Sequence, residues 1–332
     1  MRHGGGAAWS VAVIGAGAIA RDHCDAIAAT PDLRLVRVVD RHPERARTLA
    51  ALYGADAGDD APDALRDDVD AVVICTAPDS HVALASQALA AGKAVLLEKP
   101  AALDLASLQR LLLVAETAPV PLLVGQTARF QPAHLALRRA LDAGRIGAPR
   151  LLHLTWHTGH VWPGGWRAWQ LDERRSGGQV VHNGVHALDL ANSLLGGHPR
   201  RVFARELRSW SAGMPTPDSF HVLVEYDSGA LATIELSYAL RRRGAMLRRV
   251  LLAGTEGSVV VDTQDEAESD TDPVLAPAGI EGAMEHQYAH FREVLAGTAA
   301  PATTPDQIRD TLAAALAARR SCRTGNPEPV GA

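Results

Sequence analysis

The sequence predicts an α/β fold: a parallel sheet with helices on both faces, followed by a second part built on longer strands. Three observations predict it. An apolar run at residues 11–14 leads straight into Gly15-Ala16-Gly17-Ala18-Ile19-Ala20, a strand entering a glycine turn that opens a helix. Over the first ~130 residues β-rich runs alternate with helical segments, and short crossovers of this kind force parallel pairing. After Arg129 the strands lengthen and take the spacing of antiparallel ones.

The elements follow in order. Residues 33–39 are a second β-rich run ending in Asp40. Pro43 at a helix start and Gly54 past its end bracket a helix whose apolar side is Ala46, Leu49, Ala50 and Tyr53. Residues 70–75 read as the next strand, then come the turn Thr76-Ala77-Pro78-Asp79-Ser80-His81 and a helix over 82–91 stopped by Gly92. A buried strand at 94–98 runs into Glu98-Lys99-Pro100, and a helix near 105–116 and a strand at 122–125 follow. A helix at 132–143 ends at Gly144. Strands are then expected at 150–157, 201–208, 219–226, 231–240, 247–253 and 258–262, with one helix near 186–195 between them. Residues 263–282, acidic with Pro and Gly, read as a surface loop before closing helices near 285–296 and 305–322.

A chain of 332 residues accommodates two domains of roughly 150 each. A formal charge of −5 excludes a global basic field for nucleic acid or an anionic membrane. No apolar run reaches the ~18 residues of a membrane helix, and residues 1–8 lack the apolar core of a signal peptide. Cys24, Cys75 and Cys322 are odd in number and have no metal-like spacing, which fits a reducing cytoplasm.

The glycine turn has the composition of a dinucleotide site. Gly15 permits a tight turn, Gly17 lets the backbone approach a pyrophosphate, and Ala20 stands at the third glycine position. The helix it opens presents N–H groups and a positive dipole end to phosphates. Asp40, 23 residues after Gly17, is suited to accept from a ribose 2′-hydroxyl and to repel a 2′-phosphate, favouring NAD. Arg41 beside it is the feature that accommodates NADP. Lys99 ends a strand at the carboxyl edge of the sheet, where open α/β sheets bind ligands.

A second block, Ser176-Gly177-Gly178-Gln179-Val180-Val181-His182-Asn183-Gly184-Val185-His186-Ala187-Leu188-Asp189, places His182, His186 and Asp189 at i, i+4 and i+7. They share one face if a single helix covers all three. Oxidising a carbinol requires a base for the hydroxyl proton while hydride leaves, and histidine titrates near neutrality. A lysine beside it stabilises the oxygen.

With these motifs in order, the chain resembles the Gfo/Idh/MocA oxidoreductases, the family of glucose–fructose oxidoreductase and inositol dehydrogenase, over about residues 9–324. Arg129-Phe130, Trp166-Arg167 and Gly254-Thr255-Glu256-Gly257 also carry the resemblance. It implies a flexible tail over 1–8, a Rossmann domain over 9–129, a substrate-binding and oligomerisation domain with an open, mostly antiparallel sheet over 130–324, and a tail over 325–332. It implies Lys99 and His186 as catalytic residues acting on a secondary alcohol or ketone of a sugar, amino sugar or cyclitol, and His182, in the same block, is expected as a third. NAD, with NADP possible, is expected on Gly15, Ala16, Gly17, Ala18, Ile19, Asp40, Arg41, Thr76, Ala77, Pro78, His81, Glu98, Lys99 and Gln126. The small polyhydroxylated substrate is expected on Arg129, His157, Trp166, Arg167, Asn183 and His186. A homodimer or homotetramer in the cytoplasm, with no nucleic-acid or membrane partner, completes the expectation. The chain departs from the family at His182, where an aspartate usually stands four residues before the histidine.

Three further features have plainer readings. His153, His157 and His160 lack a metal-ligand signature, so no metal is expected. Arg241, Arg242 and Arg243 with Arg248 and Arg249 read as a solvated strand end or subunit contact, or as a site for an acidic substrate group. Trp162, Trp166 and Trp169 suit either packing or a sugar ring. Two other functions share the same motifs: glycoside cleavage through transient oxidation, and a regulatory protein that binds the cofactor without turnover.

Overall fold

A computed structural model describes residues 8–159, 168–209, 214–240, 246–262, 268–269 and 282–331. The expectations for residues 1–7, His160, Trp162, Trp166, Arg167, Arg241, Arg242, Arg243 and most of the 263–282 loop lie outside the described residues. The chain forms two compact units.

The first unit opens with β1 (Trp9–Ile14), α1 (Ala18–Ala29), β2 (Leu33–Val39), α2 (Pro43–Ala51) and β3 (Asp56–Gly58). It continues with β4 (Ala71–Ile74), α3 (His81–Ala90), β5 (Ala94–Glu98), α4 (Leu105–Thr117) and β6 (Leu122–Gly125). Among the described residues these strands form one parallel sheet in the order β3-β2-β1-β4-β5-β6. The central strands are unbroken apolar runs because both their faces are buried: Val11, Ala12, Val13, Val72, Val73 and Val95 are fully inaccessible. Strand order reverses between β1 and β4, the switch point where such sheets take ligands.

The second unit carries α5 (Pro132–Asp142), β7 (Pro149–Gly159) and the short helices α6 (Glu173–Ser176) and α7 (Gln179–His182). Next come α8 (Gly184–Leu195), β8 (Pro199–Leu207), β9 (Ser219–Tyr226), β10 (Leu231–Leu240), β11 (Met246–Gly254), β12 (Ser258–Asp262) and β13 (Glu268–Ser269). The strand β13 pairs with Val259 and Val260 inside the stretch expected as a loop. Among the described residues of this sheet β7 and β10 run parallel and every other pairing is antiparallel. Period-2 alternation separates its faces: Leu152, Leu154 and Trp156 are buried on the side of α8, whereas Leu151, Leu231 and Phe203 are exposed.

The chain then corrects two expected boundaries. Helix α9 (Ala283–Leu295) belongs to the first unit, which takes back residues 284–304, so 130–324 is not one continuous domain. The physical reason is its apolar stripe: Tyr288, Phe291, Val294 and Leu295 are buried in the same core as Val11, Val13, Cys24 and Ile27. After α10 (Pro305–Thr324), β14 (Glu328–Pro329) adds to the edge of β8 against Arg201 and Val202, where a free tail was expected. The alanine run of α10 lets it lie close on β8, and Ser321 Oγ accepts the Ala204 N–H at 2.8 Å.

Candidate active site

Because the first sheet is parallel, the residues after β1, β2, β4, β5 and β6 all emerge at its carboxyl edge: Gly15, Asp40, Cys75, Lys99 and Gln126. Gly15 sits at φ +98°, and a Cβ there would lie 2.9 Å from the Cys75 carbonyl carbon, so only glycine fits. At Gly17, which caps α1, nothing lies within 4 Å of a Cβ position, leaving the helix N-terminus open to a phosphate. The Asp40 carboxylate is set by two backbone donors, Ala16 N–H at 2.7 Å and His42 N–H at 2.8 Å. Arg41 beside it is exposed. The Gln126 Oε1 is buried and has no hydrogen-bond partner among the described residues, a polar atom that a ligand donor would satisfy. Open turn, helix N-terminus, placed carboxylate and orphaned amide oxygen together fit an NAD molecule.

Two expected cofactor contacts do other work. His81 is fully buried, its Nδ1 meeting the Pro100 carbonyl at 2.8 Å and its Nε2 the Thr76 carbonyl at 3.1 Å. It therefore braces the Thr76-Ala77-Pro78 turn against the Lys99-Pro100 turn rather than facing a ligand. Burial pushes its pKa down against the pull of those carbonyls. The Glu98 side chain also turns inward, to His23 Nε2 at 3.1 Å.

Behind Lys99 lies a buried polar group. His23 Nδ1 meets the Tyr288 hydroxyl at 2.8 Å, and the Lys99 backbone N–H donates to Glu98 Oε2 at 3.1 Å. Burial disfavours the His23 imidazolium, but Cys75 and the Glu98 carboxylate outweigh it and raise the pKa to about 10. Burial likewise opposes the Glu98 charge, but His23 and Lys99 hold its pKa below the usual value. Lys99 itself is lowered by burial, with Glu98 opposing. The linkage follows in sign. The raised histidine stabilises fully below its unfolded value of about 6.5, and that contribution is lost as pH rises through about 10. The lowered carboxylate stabilises above its unfolded value of about 4.3, and that contribution is lost on acidification. Calorimetry from pH 7 to 10 should therefore show the melting temperature of wild type converging on that of His23→Leu.

In the second unit, Gly177 (φ +82°) and Gly178 (φ +86°) end α6 and start α7, and Asn183 separates α7 from α8. The single helix that would align His182, His186 and Asp189 is thus broken at Asn183. His182 is buried edge-on to Trp169, centroids 5.3 Å apart. His186 is half-buried and stacks on Trp156 at 5.7 Å with planes 4° apart. The Arg248 guanidinium lies 3.6 Å over the Trp156 ring, its pKa lowered to about 10 by burial. Asp189 turns into the core, where Arg129 Nε and Nη2 donate to it at 2.6 and 2.9 Å. Burial raises the Asp189 pKa and Arg129 opposes the rise.

Three expected substrate contacts are revised by this geometry. Arg129 is committed to Asp189 and to Gln307 Oε1, at 3.1 Å, as a buried strut. Asn183 Nδ2 donates to Gln179 Oε1 at 2.8 Å and serves the turn between α7 and α8. His157 lies on the sheet face opposite Trp156 and His186, 3.7 Å from Glu235, because neighbouring strand residues point to opposite faces. Among the described residues no group of three or more His, Cys, Asp or Glu has the arrangement of a metal site. Sequence reasoning missed His23, Tyr288 and the Arg248–Trp156–His186 stack, none of which has a local motif.

Two family models match the chain in order. The GFO/IDH/MocA oxidoreductase family model, with an NAD-binding Rossmann fold, matches residues 9–126, and the GFO/IDH/MocA C-terminal domain matches residues 134–260. The inositol 2-dehydrogenase of Rhizobium meliloti (strain 1021) is 33% identical over 256 residues, covering 76% of this chain and 75% of that protein. The 1,5-anhydro-D-fructose reductase of Ensifer adhaerens is 29% identical, covering 79% of this chain and 80% of that protein. Among solved structures, GenD2 from gentamicin A biosynthesis, in complex with NAD, superposes with a TM-score of 0.83 at 28% identity, over 98% of this chain and 97% of that one.

Proposed function

We propose that this chain, which belongs to the Gfo/Idh/MocA family of NAD-binding oxidoreductases, moves a hydride between NAD and a secondary alcohol or ketone of a sugar, amino sugar or cyclitol. The observation that carries the reading is Lys99, which follows β5 at the sheet edge that also holds Gly17, Asp40 and Gln126. NAD, when bound, supplies the two-electron acceptor. In the oxidative direction His186 takes the hydroxyl proton as the carbon–hydrogen bond is lost, and the Lys99 ammonium stabilises the charge gathering on oxygen. His182 tunes His186. Nicotinamide absorbance on mixing enzyme and NAD with a panel of inositols, sugars and amino sugars tests the reading. Consumption of a glycoside without net absorbance change would move it to transient oxidation.

Asp40 sets the cofactor preference in this reading, since its fixed carboxylate repels a 2′-phosphate. NAD should bind at least ~10-fold more tightly than NADP, about 1.4 kcal/mol. Fluorescence titration of both cofactors checks this, and Asp40→Ala should narrow the gap. Equal affinities in wild type would hand the role to Arg41.

The exposed face of the second sheet is assigned to self-association. Leu151, Leu231, Phe203 and Leu207 are between 36% and 46% exposed there, apolar side chains that a second copy would cover. Sedimentation should give a dimer or tetramer, and Leu151→Glu with Leu231→Glu should release monomers. No helix of the described residues is long and apolar enough to cross a membrane. The free thiols of Cys24, Cys75 and Cys322 suit work in the cytoplasm.

A further inference from the structure

We propose that His23 and Tyr288 are positioning residues for Lys99, acting through the Glu98 carboxylate; the role rests on the assignment of Lys99 to the chemistry. The two oxygens of Glu98 are divided between two partners. Oε1 faces His23 Nε2 at 3.1 Å, and Oε2 accepts the backbone N–H of Lys99 at 3.1 Å. The carboxylate is thus a joint between helix α1 and the main chain of the lysine. His23 is held from behind by the Tyr288 hydroxyl at 2.8 Å, with the rings edge to face at 5.7 Å. Tyr288 is fully buried and packs edge-on against Phe291, so α9 anchors the series. Gly125, opposite Glu98 in the sheet, leaves it room: a Cβ there would press on Oε1 at 3.3 Å.

Nothing in the hydride chemistry uses these buried groups directly, yet they terminate on the residue that stabilises the reacting oxygen. With the imidazole protonated, Nε2–H donates to Glu98 and Nδ1–H to the tyrosine oxygen. Glu98 then remains ionised and favours the neighbouring ammonium. The other charged or titratable groups acting on the cluster are His81, from α3, on Glu98; Cys75, after β4, on His23 and Tyr288; and, from α1 itself, Asp22 on His23 and Cys24 on Tyr288. Losing the histidine donor leaves a buried carboxylate that gains a proton or turns away. In either case the lysine loses its fixed backbone anchor and its adjacent negative charge.

The test compares His23→Leu, His23→Gln and Tyr288→Phe in wild-type and Lys99→Met backgrounds, measuring kcat, its pH profile, NAD affinity and melting temperature. For folded His23→Leu, kcat should fall ~10-fold or more, as displaced catalytic groups do. Its alkaline limb should move down by about one pH unit, with NAD affinity within ~3-fold. His23→Gln keeps a donor toward Glu98 and should recover most of the rate. Tyr288→Phe, a milder change that decides the matter if His23→Leu does not fold, should move the rate and the alkaline limb the same way by a smaller amount. In the Lys99→Met background none of the three changes should lower the residual rate further, because residues acting as one unit are not additive. Unchanged kcat and pH limb in folded variants, or losses that add to that of Lys99→Met, would overturn the proposal. Full turnover by Lys99→Met alone would instead overturn the assignment of Lys99 from which it starts.

Discussion

Lys99→Met is expected to lower kcat at least ~100-fold, the usual size of losing one electrostatic stabiliser of a developing oxyanion. Methionine keeps the length of the side chain and removes only its charge. The lysine stands directly after β5 at the carboxyl edge, held by its own backbone bond to Glu98, so the substitution leaves the turn intact. NAD affinity should therefore change by only a few-fold, because Gly17, the N-terminus of α1 and Asp40 are untouched. Burial lowers the pKa of this ammonium, so wild-type turnover should decline on the alkaline side at a pH below the ordinary lysine value of about 10.4. The variant should lose that limb. Single-turnover kinetics separates the chemical step from release, and an unchanged chemical rate would remove Lys99 from the mechanism.

His186→Ala should abolish most turnover, by ~100-fold to 10,000-fold for a lost general base. Its ring stacks on Trp156, which fixes the imidazole plane while leaving the residue half-buried. His182 differs, being buried edge-on to Trp169. His182→Asp restores the carboxylate usual in the family. It should retain activity and shift the pH–rate profile upward, because a nearby negative charge favours the His186 imidazolium. His182→Ala should fall between them. If His182→Ala is as inactive as His186→Ala, His182 is the proton carrier and the two roles exchange.

What was legible in the chain and what was not divide along a physical line. The central strands of the first sheet announced themselves because burial on both faces demands uninterrupted Val, Ile and Leu, and Gly15 and Gly17 mark a turn no other residue fits. The edge strand β3, Asp-Ala-Gly, carries no such demand and left no signal. A strand's alternation fixes which residues share a face, and it sets His157 opposite Trp156 and His186. Spacing alone aligned His182 with Asp189, but Asn183 breaks the helix and Arg129 draws the aspartate into the core. Tyr288 and His23 are 265 residues apart, and only the fold brings them together.

The return of residues 284–304 to the first unit also imposes an order on biosynthesis. The cofactor-binding sheet cannot be finished when its sixth strand leaves the ribosome, because the wall that seals Val11, Val13 and Ile27 has not yet been translated. At about 5–20 residues per second, the 177 residues that follow Thr127, up to Thr304, take roughly 9–35 s. Throughout that interval the chain lacks the Tyr288, Phe291, Val294 and Leu295 side chains that complete this core. The dinucleotide half of this enzyme is therefore not an excisable module. Its core is complete only once residues 284–304 have been made, when nearly the whole chain exists.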